Sequence, residues 1–385
     1  MSPSPVSPLF DEQPLHPEAD RSPTLAARYY VDPDIFEAEK EAIFFRSWQF
    51  AAHRSQLDAP GKFVTTHIHD QEIFLICNAQ GEVRAFYNAC AHRAHPLVEG
   101  QGRTQRLVCP YHAWTYDLDG RLQHARGTRS MAHFEQGAIC LSEVRCEWLL
   151  DFAFINLDHA APPLAELAPR LADDIRACLP MHDGLVARGG QKSLALPQMR
   201  ANWKVAVDNF LECFHCRNAH PTFSQTLDVS FTDITVDGIV CRQSMPASDN
   251  PGETPYVVSP DEPVQQGVFW FVWPNTTILI FPGPPSLYVS RFVPVEPALT
   301  QRYFFGVGIP GDIGEAERAR DRLVSEFVGP EDIRLCEAVQ RGLRQRGYSQ
   351  GRYVIDEARN EWSEHALHHF HRQYLQHLGT GFDGV

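Results

Sequence analysis

The chain has no run of 18 or more apolar residues, so no helix of it is expected to span a membrane. Its N-terminus, MSPSPVSPLFDEQPLHPEADRSP, lacks a basic start and an apolar h-region, so it does not read as a secretory signal. A cytoplasmic protein is expected. Positive charge is scarce: 34 Lys and Arg face 48 Asp and Glu, a net charge of −14. That balance argues against general nucleic-acid binding, which favours basic surfaces. No GxGxxG fingerprint is present, so the usual cradle for a dinucleotide is missing. No internal repeat is visible, which removes repeat architectures.

What remains is an ordinary globular composition. The 385 residues are 43% apolar, enough for a sizeable core, and the length suggests two domains. Six prolines in the first 23 residues (Pro3, Pro5, Pro8, Pro14, Pro17, Pro23) suggest a mobile extension over 1–24. Ten cysteines in an intracellular protein need not pair. Cys77, Cys140, Cys146, Cys178, Cys213, Cys216, Cys241 and Cys336 are expected to be reduced.

The other two cysteines, Cys90 and Cys109, belong to CAHRAHPLVEGQGRTQRLVCPYH. This is Cys-x-His, sixteen residues, then Cys-x-x-His. Two thiolates and two imidazoles on two short loops suit a Rieske [2Fe–2S] cluster, in which two His replace two Cys on one iron. Structural zinc sites usually pair like with like, as Cys-x2–4-Cys and His-x3–5-His. Here each loop carries one of each, so each loop can serve both irons. Cys90, His92, Cys109 and His112 are the expected ligands. His95 breaks the spacing and is left out.

Along the chain, Asp32 and Pro33 open a predicted helix to about Trp48, with Asp32 as N-cap and Pro33 at the first position. This falls in a helical segment over 25–50. Short strands and turns such as Gln80-Gly81 and Asp119-Gly120 fill 51–158, an all-β domain that contains both cluster loops. Residues 159–385 form a second domain. Helices are predicted there over 164–178, 205–218, 314–329, 331–343 and 357–378. Strands are predicted over 268–274, 277–281, 286–294 and 301–309. The fold class is α+β. The final helix carries His365, His368, His369, His371 and His377, read as a solvated, partly packed face rather than a metal site.

A second group of metal-capable residues lies in ANWKVAVDNFLECFHCRNAHPTF, which holds Asp208, Glu212, His215 and His220. Glu212 and His215 are about 60° apart on a helix and share a face. His215 and His220 are about 140° apart, so a break or bulge is needed to bring them together. Pro221 favours a break. Two imidazoles and one carboxylate with open positions make the facial triad of non-haem Fe(II) oxygenases. Spacing leaves Asp208, Glu212 and Asp332 all open as the carboxylate. For Asp332, a helix N-terminal acid favoured by the macrodipole is the competing reading.

From LAARYYVDPDIFEAEKEAIFFRSWQF through the cluster loops to NWKVAVDNFLECFHCRNAHP, the chain resembles the oxygenase component of Rieske-type non-haem iron oxygenases. The resemblance implies an N-terminal Rieske domain and a catalytic domain with a curved antiparallel sheet flanked by helices. It implies His215, His220 and Asp332 as ligands of mononuclear Fe(II). It assigns Glu212, with Asp208 and Asn209 beside it, to the catalytic link between the two metal sites across a subunit boundary. A homotrimer is therefore expected, with electrons arriving from a separate NAD(P)H-dependent flavin or iron–sulfur reductase and O₂ as co-substrate. Glu in place of the commoner Asp at 212 resembles the branch acting on choline, carnitine and betaines. A quaternary ammonium group is bound by aromatic faces. Phe210, Phe214, Trp270, Phe271 and Trp273 are the pocket candidates, although strand alternation puts Trp270 opposite Phe271 and Trp273. A ring-hydroxylating or O-demethylating enzyme of aromatic acids is the alternative. A pure electron carrier would need only the cluster domain.

Overall fold

A computed structural model describes residues 12–188, 194–195 and 197–379. The chain divides into two compact units, with Phe44–Pro169 forming one and the flanking residues forming the other. The β unit is therefore wider at both ends than the predicted 51–158. The predicted helix to Trp48 stops early, at Pro33–Ala42, with the Asp32 carboxylate accepting from the Asp34 N–H. Ile43 and Phe44 are fully buried, and Gln49–His53 is a strand. Apolar residues continue past the helix because the next element is also buried. The Trp48 indole donates to Pro162 O at 2.9 Å.

The β unit holds a seven-stranded antiparallel sheet. Its order is Gln49–His53, Phe152–Asn156, Glu143–Leu149, Val83–Tyr87, Gln71–Cys77, Lys62–Ile68 and Gln101–Arg103. A smaller sheet of Leu107–Val108, Thr115–Tyr116 and Leu122–His124 carries the second cluster loop. Phe74, Ile76, Phe86, Trp114, Tyr116 and Leu122 share one core, and Cys90 and Cys109 are buried in it. The Asp119-Gly120 turn needs its glycine. Gly120 has φ +80°, and a Cβ there would sit 2.7 Å from the Phe86 ring.

In the other unit an antiparallel sheet runs Val186–Ala187, Leu299–Gly308, Ser286–Glu296, Thr276–Ile280, Gln266–Val272, Val240–Pro246 and Asp233–Asp237. Leu194–Ala195 also pairs with Leu299–Gly308. Ser286 to Pro294 is buried without alternation, the mark of a strand covered on both faces. Helices Trp203–Phe210, Gly329–Gly342 and His365–Leu378 flank the sheet, in the expected α+β arrangement. No described helix is long and apolar enough to cross a membrane.

Residues 12–24 are not a free extension, as the prolines suggested. Leu15 is buried. The Gln13 N–H donates to Gln350 Oε1 at 2.7 Å, and Pro23 bridges to Arg352. The prolines deny this segment a regular ladder, but tertiary partners hold it. Residues 1–11 of the predicted extension lie outside the described ones. The last helix begins at His365 rather than 357. Its histidines are more packed than predicted, with His368 and His371 both buried. A buried ion pair ties three helices together. Lys204 Nζ donates to Glu39 Oε1 at 2.5 Å, and Glu39 also accepts from the Trp203 indole and the Tyr374 hydroxyl, each at 2.7 Å.

Candidate metal centres

The two cluster loops are built alike. The Cys90 N–H donates to His95 O at 3.0 Å and the Cys109 N–H to Trp114 O at 2.8 Å. Each loop then closes back on its cysteine, through Ala94 N–H to Cys90 O at 2.8 Å and Ala113 N–H to Cys109 O at 3.0 Å. Both alanines take left-handed backbone, with φ 55° and 58°. That conformation costs an L-residue about 1–3 kcal/mol, so surrounding structure must enforce it. The thiols are buried, while His92 is exposed and His112 half-buried. The two imidazoles face each other with ring centroids 4.7 Å apart, and His92 stacks on Trp114.

This constellation fits a cluster. His112 Nδ1 is buried and has no hydrogen-bond partner, the condition of an atom reserved for a metal. Burial raises the Cys109 thiol above its ordinary pKa, with Cys90 adding to the effect and the N–H groups of Tyr111 and His112 opposing it. A cation beside both sulfurs would reverse that preference. Cys90 Sγ lies 3.1 Å from the Tyr116 hydroxyl. His95 stands apart, its Nδ1 2.6 Å from Pro96 O.

The second centre depends on two helix breaks. Asn202 caps the first helix by accepting from the Lys204 N–H, and the helix ends at Phe210 instead of running to 218. A short helix, Cys216–Ala219, follows. His220, at φ −123° and ψ 67°, interrupts the chain again before Pro221 opens Pro221–Thr226. These breaks remove the angular separation of an ideal helix and bring the His215 and His220 rings to 5.0 Å. Cys213 and Cys216, expected to be reduced, form a disulfide around this bend. Three residues apart, they stand 5.0 Å from Cα to Cα, within the range a disulfide spans.

Asp332 arrives from Gly329–Gly342, and ligand atoms of His215, His220 and Asp332 lie within 4.8 Å of one another. Asp332 Oδ1 is 2.8 Å from His220 Nε2 and 3.7 Å from His215 Nε2. A π-helical turn, Leu323–Val328, runs straight into its helix through Val328 at φ −57° and ψ −52°. Asp332 therefore does not sit at a free helix N-terminus, and the macrodipole reading loses its basis.

Behind the triad, each imidazole is held by a second carboxylate. His215 Nδ1 bonds Glu212 Oε1, and His220 Nδ1 lies 2.8 Å from Glu331 Oε2. Such partners fix the tautomer that presents Nε2 to a metal. Glu331 was not foreseen, and its only signal is adjacency to Asp332. Burial opposes charge on His215, but Asp332 and Glu212 outweigh it and raise its pKa to about 10. Burial likewise opposes charge on Asp332, yet the two imidazoles lower it to about 2. The imidazoles and the carboxylate thus favour one another's charged forms.

Of the other named residues, Asn209 Nδ2 is 3.4 Å from His215 Nε2. Asp208 turns away into a buried network, accepting from the Tyr30 hydroxyl at 2.6 Å and lying 3.0 Å from His371 Nε2. Among the aromatic candidates, Phe210 packs near Phe292 at 6.5 Å, and Phe214 meets Trp362 at 5.4 Å. The strand aromatics are corrected to core roles. Phe271 and Trp273 both pack on Phe370, each at 5.6 Å, and the Trp270 indole donates to Asp174 at 2.7 Å. Phe269, which was passed over, is the aromatic residue of that strand that joins the core with Cys213, Cys216 and Phe223.

Residues 47–135 match the Rieske [2Fe-2S] domain, and residues 183–380 match the ring hydroxylating alpha subunit (catalytic domain). The chain is 36% identical to the carnitine monooxygenase oxygenase subunit of Escherichia coli (strain K12), over 92% of this chain and 93% of that one. It is 28% identical to the chloroplastic choline monooxygenase of Amaranthus tricolor, over 90% and 76% of the respective chains. A solved quaternary ammonium Rieske monooxygenase, studied for carnitine oxidation and inter-subunit electron transfer, superposes with TM-score 0.85 and 30% identity, over 93% of this chain and 96% of that one.

Proposed function

The chain belongs to the ring-hydroxylating α-subunit family of Rieske oxygenases, and on that premise we propose that it hydroxylates a small quaternary ammonium compound at a carbon beside nitrogen. As an oxygenase component it takes electrons from a separate reductase. The observation that carries the substrate reading is the likeness to carnitine monooxygenase along nearly the whole chain, together with Glu212 placed three residues before His215.

Cys90, His92, Cys109 and His112 would hold the [2Fe–2S] cluster, and His215, His220 and Asp332 would hold the mononuclear iron. When bound, these groups supply single electrons and activate O₂. The protein's own residues do the rest. Glu212 and Glu331 orient the two imidazoles, and their negative charge keeps the imidazoles strong donors. Glu212 is also the acceptor through which a neighbouring subunit's cluster loop is joined to this site, in a homotrimer. The reductase draws on NAD(P)H through flavin and iron–sulfur groups.

Stoichiometry follows from the reaction class. One O₂, two electrons and two protons convert an N-methyl to an N-hydroxymethyl group and water. The hydroxymethyl ammonium then loses formaldehyde and leaves a tertiary amine. Attack on another carbon beside nitrogen would release a different aldehyde and the amine. An O₂-uptake screen with a surrogate reductase tests this, comparing betaines and choline with aromatic acids and assaying aldehyde in parallel. Uptake coupled to an aromatic acid alone would overturn the quaternary ammonium reading.

Assembly has its own test. Dilution to verified monomer is expected to abolish turnover while leaving the cluster's visible absorption intact. Turnover that persists in monomer would refute the inter-subunit link.

A further inference from the structure

Arg302 lies on the Leu299–Gly308 strand, paired across to Phe292. Alternation puts Ser290, Phe292 and Phe304 on its face of the sheet. That face packs toward the metal-bearing segment. Phe304 and Phe210 sit against the core that contains Cys213, Cys216, Phe223, Phe269 and Tyr288. Phe292 in turn lies 6.5 Å from Phe210, the neighbour of Asn209.

Within this layer the guanidinium is poorly served. Its Nε donates to Ser290 Oγ at 2.9 Å, and one terminal nitrogen is 3.5 Å from Thr277 Oγ1. Its carbon stands 4.9 Å from the Phe292 ring centroid. A guanidinium has five N–H donors, so most remain uncommitted. Among the described residues no carboxylate forms an ion pair with it. Asp332 is felt only through its charge. Burial lowers the Arg302 pKa from 12.5 to about 10, with Asp332 opposing. The residue as a whole is half-buried.

Three other enclosed arginines of this unit are paired with a carboxylate. Arg188 has Glu317 at 2.7 Å, Arg242 has Asp174 at 3.2 Å, and Arg320 has Asp321 at 3.4 Å. A desolvated cation is normally matched by an anion. Arg302 has forked, largely uncommitted donors and, among the described residues, no paired anion.

We propose that Arg302 anchors a carboxylate of the substrate, which makes the preferred substrate a zwitterion carrying both a quaternary ammonium and an acid group. A guanidinium fork matches a carboxylate in two parallel hydrogen bonds. A purely cationic substrate such as choline would meet like charge at Arg302. A betaine instead brings the missing anion. The inference rests on the quaternary ammonium reading above and narrows it.

The test is calorimetric titration of the oxidised holoenzyme with γ-butyrobetaine, choline and 4-methoxybenzoate, with iron measured in every preparation. Wild type is expected to bind the betaine roughly 10- to 100-fold more tightly than choline, the range of charge-assisted hydrogen bonds. Arg302→Gln should erase that preference by weakening the betaine alone, without loss of iron. Arg302→Lys keeps the charge and loses the fork, so it should restore part of the preference and guards against a folding failure of the Gln variant. Equal affinity of wild type for betaine and choline would overturn the anchor. So would equal weakening of both ligands in Arg302→Gln, or loss of iron, since Arg302 would then be balancing Asp332. Binding of 4-methoxybenzoate in place of the betaine, lost in Arg302→Gln, would overturn the quaternary ammonium reading and leave the anchor standing.

Discussion

At the scale of single residues, the mononuclear site is two imidazoles, each gripped from both sides. Asp332 lies on the Nε2 side, and Glu212 or Glu331 on the Nδ1 side. The two kinds of carboxylate should separate by experiment. Asp332→Ala is expected to lose the mononuclear iron and keep the cluster iron, read by metal analysis. Glu212→Ala should retain both metals when reconstituted with excess iron and slow electron delivery, read by single-turnover kinetics. Full iron retention in Asp332→Ala would sink the ligand assignment. Glu331→Gln leaves a hydrogen bond but removes the charge, and should weaken iron binding by about 10- to 100-fold in a chelator competition. The cluster set and His215 with His220 were legible because their spacing along the chain is itself the motif. Glu331 was not legible. Its role depends on His220, 111 residues away, turning its Nδ1 toward it.

Among elements, irregularity does the positioning. A continuous helix over 205–218 would point His215 and His220 apart, and the breaks at Phe210 and His220 correct this. The π turn before Gly329 similarly shifts the register of the helix that brings Asp332. The bend is held firmly because the helix before it is anchored by Lys204 and Glu39, both fully buried. Lys204 lies over the rings of Tyr30, Trp203 and Tyr374, at 5.0–5.6 Å. Removing one partner strands the other's charge. Lys204→Met alone is expected to cost about 3–5 kcal/mol of stability, and pairing it with Glu39→Leu should recover much of that. Denaturant unfolding checks both. The helix itself was legible from NWK onward, and its end was not, because Leu211 to Phe214 carry no strong breaker.

Across the whole molecule, the unit that holds the mononuclear site is assembled from both ends of the chain. His368 Nε2 lies 2.8 Å from His16 O, tying the N-terminal segment to the last helix. Burial lowers the His368 pKa to about 4, with the His16 carbonyl opposing. An unfolded histidine titrates near 6.5, so on acidification the unfolded state takes up this proton first. His368 therefore contributes stability above about pH 6.5, and that contribution is lost as pH falls toward 4. His368→Gln should flatten the loss across this window relative to wild type, by an amount on the order of 2–3 kcal/mol. Thermal melts at pH 7 and pH 4.5 measure it. Identical pH dependence in the two proteins would refute the assignment. This closure was invisible in sequence, where the prolines of residues 12–24 read as a sign of mobility.

The sequence alone determined the two metal-binding chemistries and the two-part α+β organisation. Those features depend on residue types at short, fixed spacing and on local hydrophobic pattern. Only the tertiary structure decided which carboxylates back the imidazoles, that Cys213 and Cys216 pair, that Phe271 and Trp273 serve the core, and that Arg302 has no paired anion among the described residues. Each of these depends on which side chains meet after the chain has closed on itself, and periodicity along the chain does not encode such meetings.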